Sequence, residues 1–192
     1  MTSEAEDKYF KRQEAARRER VRRDLERAAK EVQETRQVAA TLRTDDDEIV
    51  GRIRALGFDG DTARVFDILP LVHVAWADGS VSERERMQIF AVLERREIER
   101  GSEAFVLVES LLETRPSDAF LEETLLVLRE VTARSDDRGA GIVDLCVHVA
   151  DASGGFLGLG KKISEDEREL IQRIADGLGE SAQGEFHRLF GR

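Results

Sequence analysis

Two carboxylates on either side of a glycine-containing turn are the residues of this sequence best suited to chemistry. Asp78 and Glu85 stand at the fifth and twelfth places of an EF-hand-like pattern, with Gly79 at the sixth and Val81 at the eighth. The first and third places are apolar, so the loop is not an EF-hand. Two carboxylates predict weak binding of a divalent cation such as calcium, on the order of 10⁻⁴ to 10⁻³ M, if other oxygens complete the shell.

The same glutamate also has a structural interpretation. Ser82 precedes Glu85 by three residues, which is the spacing of a helix capping box. In a capping box the carboxylate accepts a hydrogen bond from a backbone N–H and binds no ion. Ser164 and Glu167 have the same spacing. The sequence leaves both interpretations open.

These spacings belong to an internal repeat. Segment 72–77 reads VHVAWA and segment 147–152 reads VHVADA. Each precedes a loop and a similar helix start, at 81–86 and 163–168. The loop of the second copy is longer, so the sequence predicts a duplicated helix–loop–helix unit with an insertion. Because neither unit can bury its apolar helix alone, the two should pack together with pseudo-twofold symmetry.

The second copy is the weaker candidate cation site. Its carboxylates are Asp151 and Glu167, but Ser153 stands where the first copy has Asp78. A symmetric pair of metal sites is therefore not expected.

The glycine-rich loop at 155–162 fits the spacing GxxxxGK of a nucleotide-binding loop. The following residue is lysine where magnesium needs serine or threonine, and a helix precedes the loop where a strand is required, so no nucleotide is expected. The apolar residues Phe156, Leu157 and Leu159 predict instead a segment that folds back onto the protein or contacts a partner or membrane surface.

Other reactive side chains give no catalytic arrangement. His73 and His148 occupy equivalent places of the repeat, but neither an HExxH motif nor a cysteine cluster accompanies them. Cys146, the single cysteine, lies in an apolar helix and is predicted to be a buried, inert thiol. We therefore expect a protein that is not an enzyme. A metal-dependent enzyme that uses the same carboxylates is an alternative.

Charge is distributed unevenly along the chain. Residues 1–43 carry a net charge of +3 and residues 44–192 a net charge of −13. Such an acidic body disfavours nucleic acid as a partner. Basic side chains in the first segment are the candidates for binding a protein partner or an anionic membrane surface: Arg17, Arg18, Arg22 and Arg23. The alternative is that they pair with glutamates of their own helix.

The elements that position these residues are predicted to be helices. The 192 residues include 2 Pro, 1 Trp and 1 Tyr and show no strand-like alternation, so the expected class is all-α. No apolar run of membrane-spanning length occurs, and the expected location is the cytoplasm, with peripheral contact at the inner membrane under the membrane alternative.

The first 43 residues predict a separate arm. Residues 4 to 43 contain neither glycine nor proline and should form one long helix, with a heptad seam from Val21 to Leu42. We predict two units: a charged helical arm over 1–43, able to form homo-oligomers or dock on a partner, and an all-helical domain over 44–192.

Helix boundaries in the domain follow from capping residues and breakers. Pro70 should restart a helix, and 134–141 should be a linker. The predicted N-caps and glycine stops are Thr44 or Asp45, Ser82, Ser102, Ser117, Ser164, Gly57 and Gly179.

These motifs resemble the TerB-like family, which includes the tellurite-resistance TerB proteins and the N-terminal domain of DjlA co-chaperones. The resemblance covers about residues 46–180 and is carried by an apolar helix that ends in Asp78-Gly79, then Val81, Ser82 and Glu85. It implies a helical bundle with an acidic, metal-binding face and a role in stress resistance through protein complexes. The sequence thus predicts a non-enzymatic interaction module; a membrane-surface adaptor is the alternative.

Overall fold

The computed structural model describes residues 4–133, 138–153 and 163–191, and these ranges contain only helices and their connections. The predicted all-α class is confirmed. In chain order the elements are α1 (Glu4–Leu42), α2 (Asp47–Ala55), a 3₁₀ helix (Thr62–Ile68), α3 (Leu69–Ala75), α4 (Glu83–Arg95), α5 (Glu103–Glu113), α6 (Asp118–Thr132), α7 (Arg138–Ser153), α8 (Glu165–Leu178) and α9 (Glu180–Phe190).

Serine caps set the starts of four helices, as predicted. Each hydroxyl accepts a hydrogen bond from the backbone N–H three residues further on, which satisfies a donor that the first helical turn leaves free. The four caps are Ser82, Ser102, Ser117 and Ser164. Gly57 and Gly179 follow α2 and α8 with positive φ angles of 92° and 102°, so both predicted stops are confirmed.

Two predicted boundaries are wrong. The N-cap of α2 is Asp46, whose carboxylate accepts from the N–H groups of Glu48 and Ile49, whereas Thr44 or Asp45 was expected. The segment 134–141 was expected to be a linker, but α7 already begins at Arg138. Gly139 lies in this first turn, and a Cβ placed on it would be 3.4 Å from the Cβ of Ala182. The close packing of α7 on α9 therefore stabilises a helical turn at Gly139, although glycine has a low helix propensity.

Helix α3 forms the centre of the core. All seven of its residues are buried, and Pro70 lies in its first turn, where the missing N–H costs nothing. The buried side of α7, which includes Ile142, Val143 and Cys146, packs against α3. Helix α3 also contacts α8, and α4 contacts α7. The first helix of each repeat unit thus contacts the second helix of the other unit, as a pseudo-twofold arrangement requires.

The long helix α1 has two different halves. Near its end, Val38 is fully buried and Leu42 is 6% exposed, against α2 and the 3₁₀ helix. Towards its start, Val21, Leu25 and Val32 are 51%, 65% and 50% exposed. The predicted helix is confirmed. Its seam packs on the body at Leu42, whereas the part from Val21 to Val32 is exposed. The domain boundary at residue 43 stays a prediction.

We predict that two truncations will separate these halves. Deleting residues 1–33 removes the exposed stretch and should leave the melting temperature almost unchanged. Deleting residues 1–43 also removes Val38 and Leu42, each of which contributes on the order of 2 kcal/mol through burial. At about 2–4 °C per kcal/mol for a domain of this size, the melting temperature should fall by roughly 10 °C. Thermal unfolding followed by circular dichroism measures both. Equal melting temperatures for the two truncations would contradict this division of α1.

Candidate functional site at the repeated helix corners

The first corner connects α3 to α4 through a tight turn. Gly79 adopts a φ of 92°, which a residue with a side chain rarely adopts. One carboxylate oxygen of Asp78 accepts a hydrogen bond from the Ser80 N–H at 3.0 Å. The Trp76 indole N–H donates to the Leu111 carbonyl at 2.9 Å and ties the end of α3 to α5. The turn therefore holds the exposed carboxylate of Asp78 close to the start of α4.

Both corners contain a complete capping box. In the first, the Glu85 carboxylate accepts from the Ser82 N–H at 2.8 Å, and the Ser82 hydroxyl accepts from the Glu85 N–H at 3.2 Å. In the second, the corresponding distances for Glu167 and Ser164 are 2.6 Å and 3.2 Å. The capping interpretation is confirmed for both glutamates. In each box, one oxygen of the glutamate carboxylate accepts a hydrogen bond from a backbone N–H.

The two capping glutamates are buried acids that influence one another. Glu85 is 2% exposed and Glu167 is 4% exposed. Burial raises the pKa of Glu85; hydrogen bonds from Ser82 lower it, and the charges of Asp78 and Glu167 raise it further. Pseudo-twofold packing thus gathers three of the four predicted ligands into one negative region. Asp151 is exposed on α7, at the repeat position of Trp76, and does not belong to this group.

This region can attract a cation but offers few protein ligands. Across residues 4–133, 138–153 and 163–191, no three His, Cys, Asp or Glu side chains converge closely enough to hold a metal ion. A cation at Asp78 and Glu85 would need backbone carbonyls or water for the rest of its shell. Cation binding therefore stays a prediction that depends on the free oxygens of these two carboxylates.

The two repeat histidines lie in different surroundings. His73 is 5% exposed, stacks on Phe120 at 6.4 Å between ring centroids, and its Nε2 has no hydrogen-bond partner in the described part of the chain. His148 is exposed on α7, with Nδ1 2.7 Å from the Asp144 carbonyl oxygen. They do not form a paired site. Cys146 is buried, and burial raises the pKa of its thiol, as expected for an inert cysteine.

The basic residues of the arm are partly paired within the helix. Arg18 contacts Glu14 at 2.6 Å, and Arg22 contacts Glu19 at 2.7 Å, all with exposed side chains. Arg17 and Arg23 are also exposed. The remaining predicted partner residues, Phe156, Leu157 and Leu159, lie outside the described residues, as does the whole of segment 155–162.

Sequence reasoning missed a cavity at the opposite end of α4. Arg64, Arg96 and Arg138 line it, from three segments that are far apart in sequence. No local motif connects these arginines, so only the packing of the helices reveals them.

The fold and its corners define a class of protein: an all-helical bundle built from a duplicated helix–loop–helix unit with a capping box in each copy. A protein-family model described as "Tellurite resistance protein TerB" matches residues 67–189, and the chain belongs to this family. The match covers both copies of the repeat. No curated protein and no solved structure matches the chain significantly. Among the described helices, none is both long enough and apolar enough to cross a membrane.

We predict that Ser82→Ala and Glu85→Gln will separate capping from ion binding. Ser82→Ala removes a cap and should cost about 1 kcal/mol. Glu85→Gln keeps a side chain suited to a capping box but removes the charge. Because burial raises the pKa of Glu85, its ionised form costs stability above that pKa. Glu85→Gln should therefore melt at or slightly above the wild-type temperature at pH 7, and this difference should close as the pH falls towards 4.

The same variants test the cation in thermal-shift titrations with calcium. Glu85→Gln should abolish any stabilisation by calcium, whereas Ser82→Ala should keep it. Glu167→Gln is the matched control, because its copy lacks a counterpart of Asp78: it removes a neighbouring charge but neither ligand, and it should keep a calcium response. An equal loss of response in both glutamine variants would contradict the asymmetry between the corners.

We also predict that His73 makes stability fall at acidic pH. Desolvation lowers the pKa of His73 to about 4; Asp118 opposes this shift, and Arg173 and Arg115 add to it. Below pH 6.5 the His73 imidazole is protonated in the unfolded chain but stays neutral in the folded chain. The free energy of unfolding therefore falls as the pH falls from 6.5 to 4. The loss should be about 3 kcal/mol. Urea unfolding across this range should show a much shallower pH dependence for His73→Phe. His148→Gln should keep the wild-type dependence; the same flattening in both variants would refute the assignment.

Proposed function

We propose that this member of the TerB family is a non-enzymatic interaction module that acts in tellurite-type stress resistance by binding a helical protein partner through α1. The exposed apolar stretch of that helix carries the proposal. Val21, Leu25 and Val32 recur at heptad spacing, and each is at least half exposed. An isolated helix gains stability mainly from packing an apolar face, and this stretch packs on nothing in the described body.

The opposite end of the seam favours a helix as the occupant. There Leu42 of the seam, together with the neighbouring Val38, already packs against helices of the body. There Arg54 bridges to Glu34 at 3.1 Å and donates to the Thr35 hydroxyl at 3.0 Å. A helix seated on Val21 to Val32 would extend this packing along the arm. The simplest occupant is α1 of a second copy, in a coiled coil.

Charge on the arm supports a protein partner over a lipid surface. The intrahelical pairs Arg18–Glu14 and Arg22–Glu19 neutralise part of the basic stretch. The remaining residues, 44–192, carry a net charge of −13, which an anionic membrane would repel. Arg17, one turn before Val21 on the same side of α1, is left to set partner choice beside the seam. Peripheral attachment to the inner membrane is the competing proposal, and no catalytic role is assigned.

The cation is proposed as a modulator of the module rather than a cofactor of a reaction. The capping hydrogen bonds support this view, because one carboxylate oxygen of Glu85 and one of Glu167 already accept from a backbone N–H. A weakly bound divalent ion would lower the repulsion among Asp78, Glu85 and Glu167. It would thereby stiffen the corners without entering any chemical step.

Leu25→Glu tests the proposal by placing a charge in the middle of the seam. We expect the wild type to show concentration-dependent association in analytical ultracentrifugation and Leu25→Glu to sediment as a monomer. Ala16→Glu is the matched control: it introduces the same charge on the opposite, exposed side of α1 and should associate as the wild type does.

Two results would contradict the proposal. One is a wild type that stays monomeric at every concentration. The other is equal disruption by Leu25→Glu and Ala16→Glu, which would indicate a general effect of charge. Co-sedimentation with anionic vesicles that is lost in Arg17→Glu/Arg23→Glu but kept in Leu25→Glu would favour the membrane-surface alternative.

A further inference from the structure

A small cavity lies where the end of α1, the 3₁₀ helix, the end of α4 and the start of α7 meet. Its volume is about 120 Å³. The polar residues that line it are Arg64, Arg96, Arg138, Asp67 and Thr41, and the other lining residues are apolar. Three arginines around one small cavity stand out in a domain whose net charge is strongly negative.

Neighbouring groups hold the arginines in place. Arg64 pairs with the Asp61 carboxylate at 3.4 Å. It also donates to the carbonyl oxygens of Glu97 at 2.8 Å and Arg96 at 3.4 Å, at the end of α4. Arg96 is paired with Asp67, and both side chains are mostly buried, at 31% and 23% exposed. Arg138 donates to the Leu42 carbonyl at 3.2 Å. These contacts orient the guanidinium groups but use few of their donors, since each arginine carries five.

The positive charge around this cavity is only partly balanced. Three guanidinium groups are paired with two carboxylates, those of Asp61 and Asp67, which leaves a net charge of +1 among these groups. Like charges in a partly desolvated site repel each other more strongly than in water. Arg138 is also the first residue of α7, so the positive end of that helix dipole is at the same place. A bound oxyanion would offset the remaining positive charge and satisfy the unused donors.

We propose that this cavity binds a small oxyanion of the phosphate class. The fork of an arginine matches two oxygens of a phosphate, and helix N-termini bind the same group. The volume is equivalent to roughly four water molecules at about 30 Å³ each, which suits a free phosphate or a terminal phosphoryl group and excludes a whole nucleotide. Binding would connect α1, α4 and α7 at a point remote from the capping boxes.

Titration calorimetry with inorganic phosphate at constant ionic strength tests this site. We expect saturable binding to the wild type and at least tenfold weaker binding to Arg138→Gln, because one charge-assisted interaction of about 1.5 kcal/mol corresponds to a tenfold change. Arg138→Lys keeps the charge but loses the fork, and should bind several-fold more weakly than the wild type. Sulfate in a parallel titration shows whether the site takes dianionic oxyanions in general.

Arg84→Gln is the matched control, since Arg84 is exposed at the start of α4, far from Arg96 at its end. It should bind phosphate as the wild type does. No saturable heat with the wild type would overturn the proposal, as would equal weakening by Arg84→Gln and Arg138→Gln. Wild-type affinity in Arg138→Lys would overturn the recognition by an arginine fork. Circular dichroism of each variant identifies any loss of fold.

Discussion

Helix α3 has no polar side to present to water, and the rest of the bundle is arranged around this constraint. Seven consecutive residues, Leu69–Ala75, are buried, so neighbours must enclose the helix from every direction. Its own partner in the repeat, α4, covers only part of it. Helices α5, α6, α7 and α8 cover the remainder. Duplication of the helix–loop–helix unit supplies α7 and α8, and burial of α3 then ties the two copies into one cooperative core.

This packing explains why the charge of Glu167 acts on Glu85. Helix α3 contacts α8 and helix α4 contacts α7, so the first turns of α4 and α8, which carry Glu85 and Glu167, belong to one packed group of helices. The capping boxes let these acids be buried, because backbone N–H groups replace part of the water that each carboxylate loses. The electrostatic cost that remains raises the pKa of Glu85. The proposed cation would lower that cost by contacting the same side chains that cap the helices.

Local sequence signals predicted the parts of the fold that local physics controls. Serine caps, glycine stops and the helical period of apolar residues placed most helices, because these features depend on neighbours within one turn. The capping boxes were predicted for the same reason. The signature around Asp78 also pointed to the family, which the match over residues 67–189 confirms.

Features that depend on tertiary contacts could not be predicted from local sequence. Gly139 is helical because Ala182 packs on it, and Val38 is an anchor of α1 although it lies outside the predicted seam. His73 and His148 match in sequence, but one is enclosed by Phe120 and α6 while the other faces solvent. The arginine cavity joins Arg64, Arg96 and Arg138 across the chain, so no spacing rule could reveal it.

Native-state hydrogen exchange tests most directly whether the mutual burial of α3 and α7 holds the domain together. Amide protons of both helices should exchange only through global unfolding, with the same free energy and the same dependence on denaturant. Those of α1 before residue 33 should exchange through local opening at a much lower free energy. A lower opening free energy for α7 than for α3, with α3 still protected, would show that the second copy is dispensable to the core and would contradict this view of the fold.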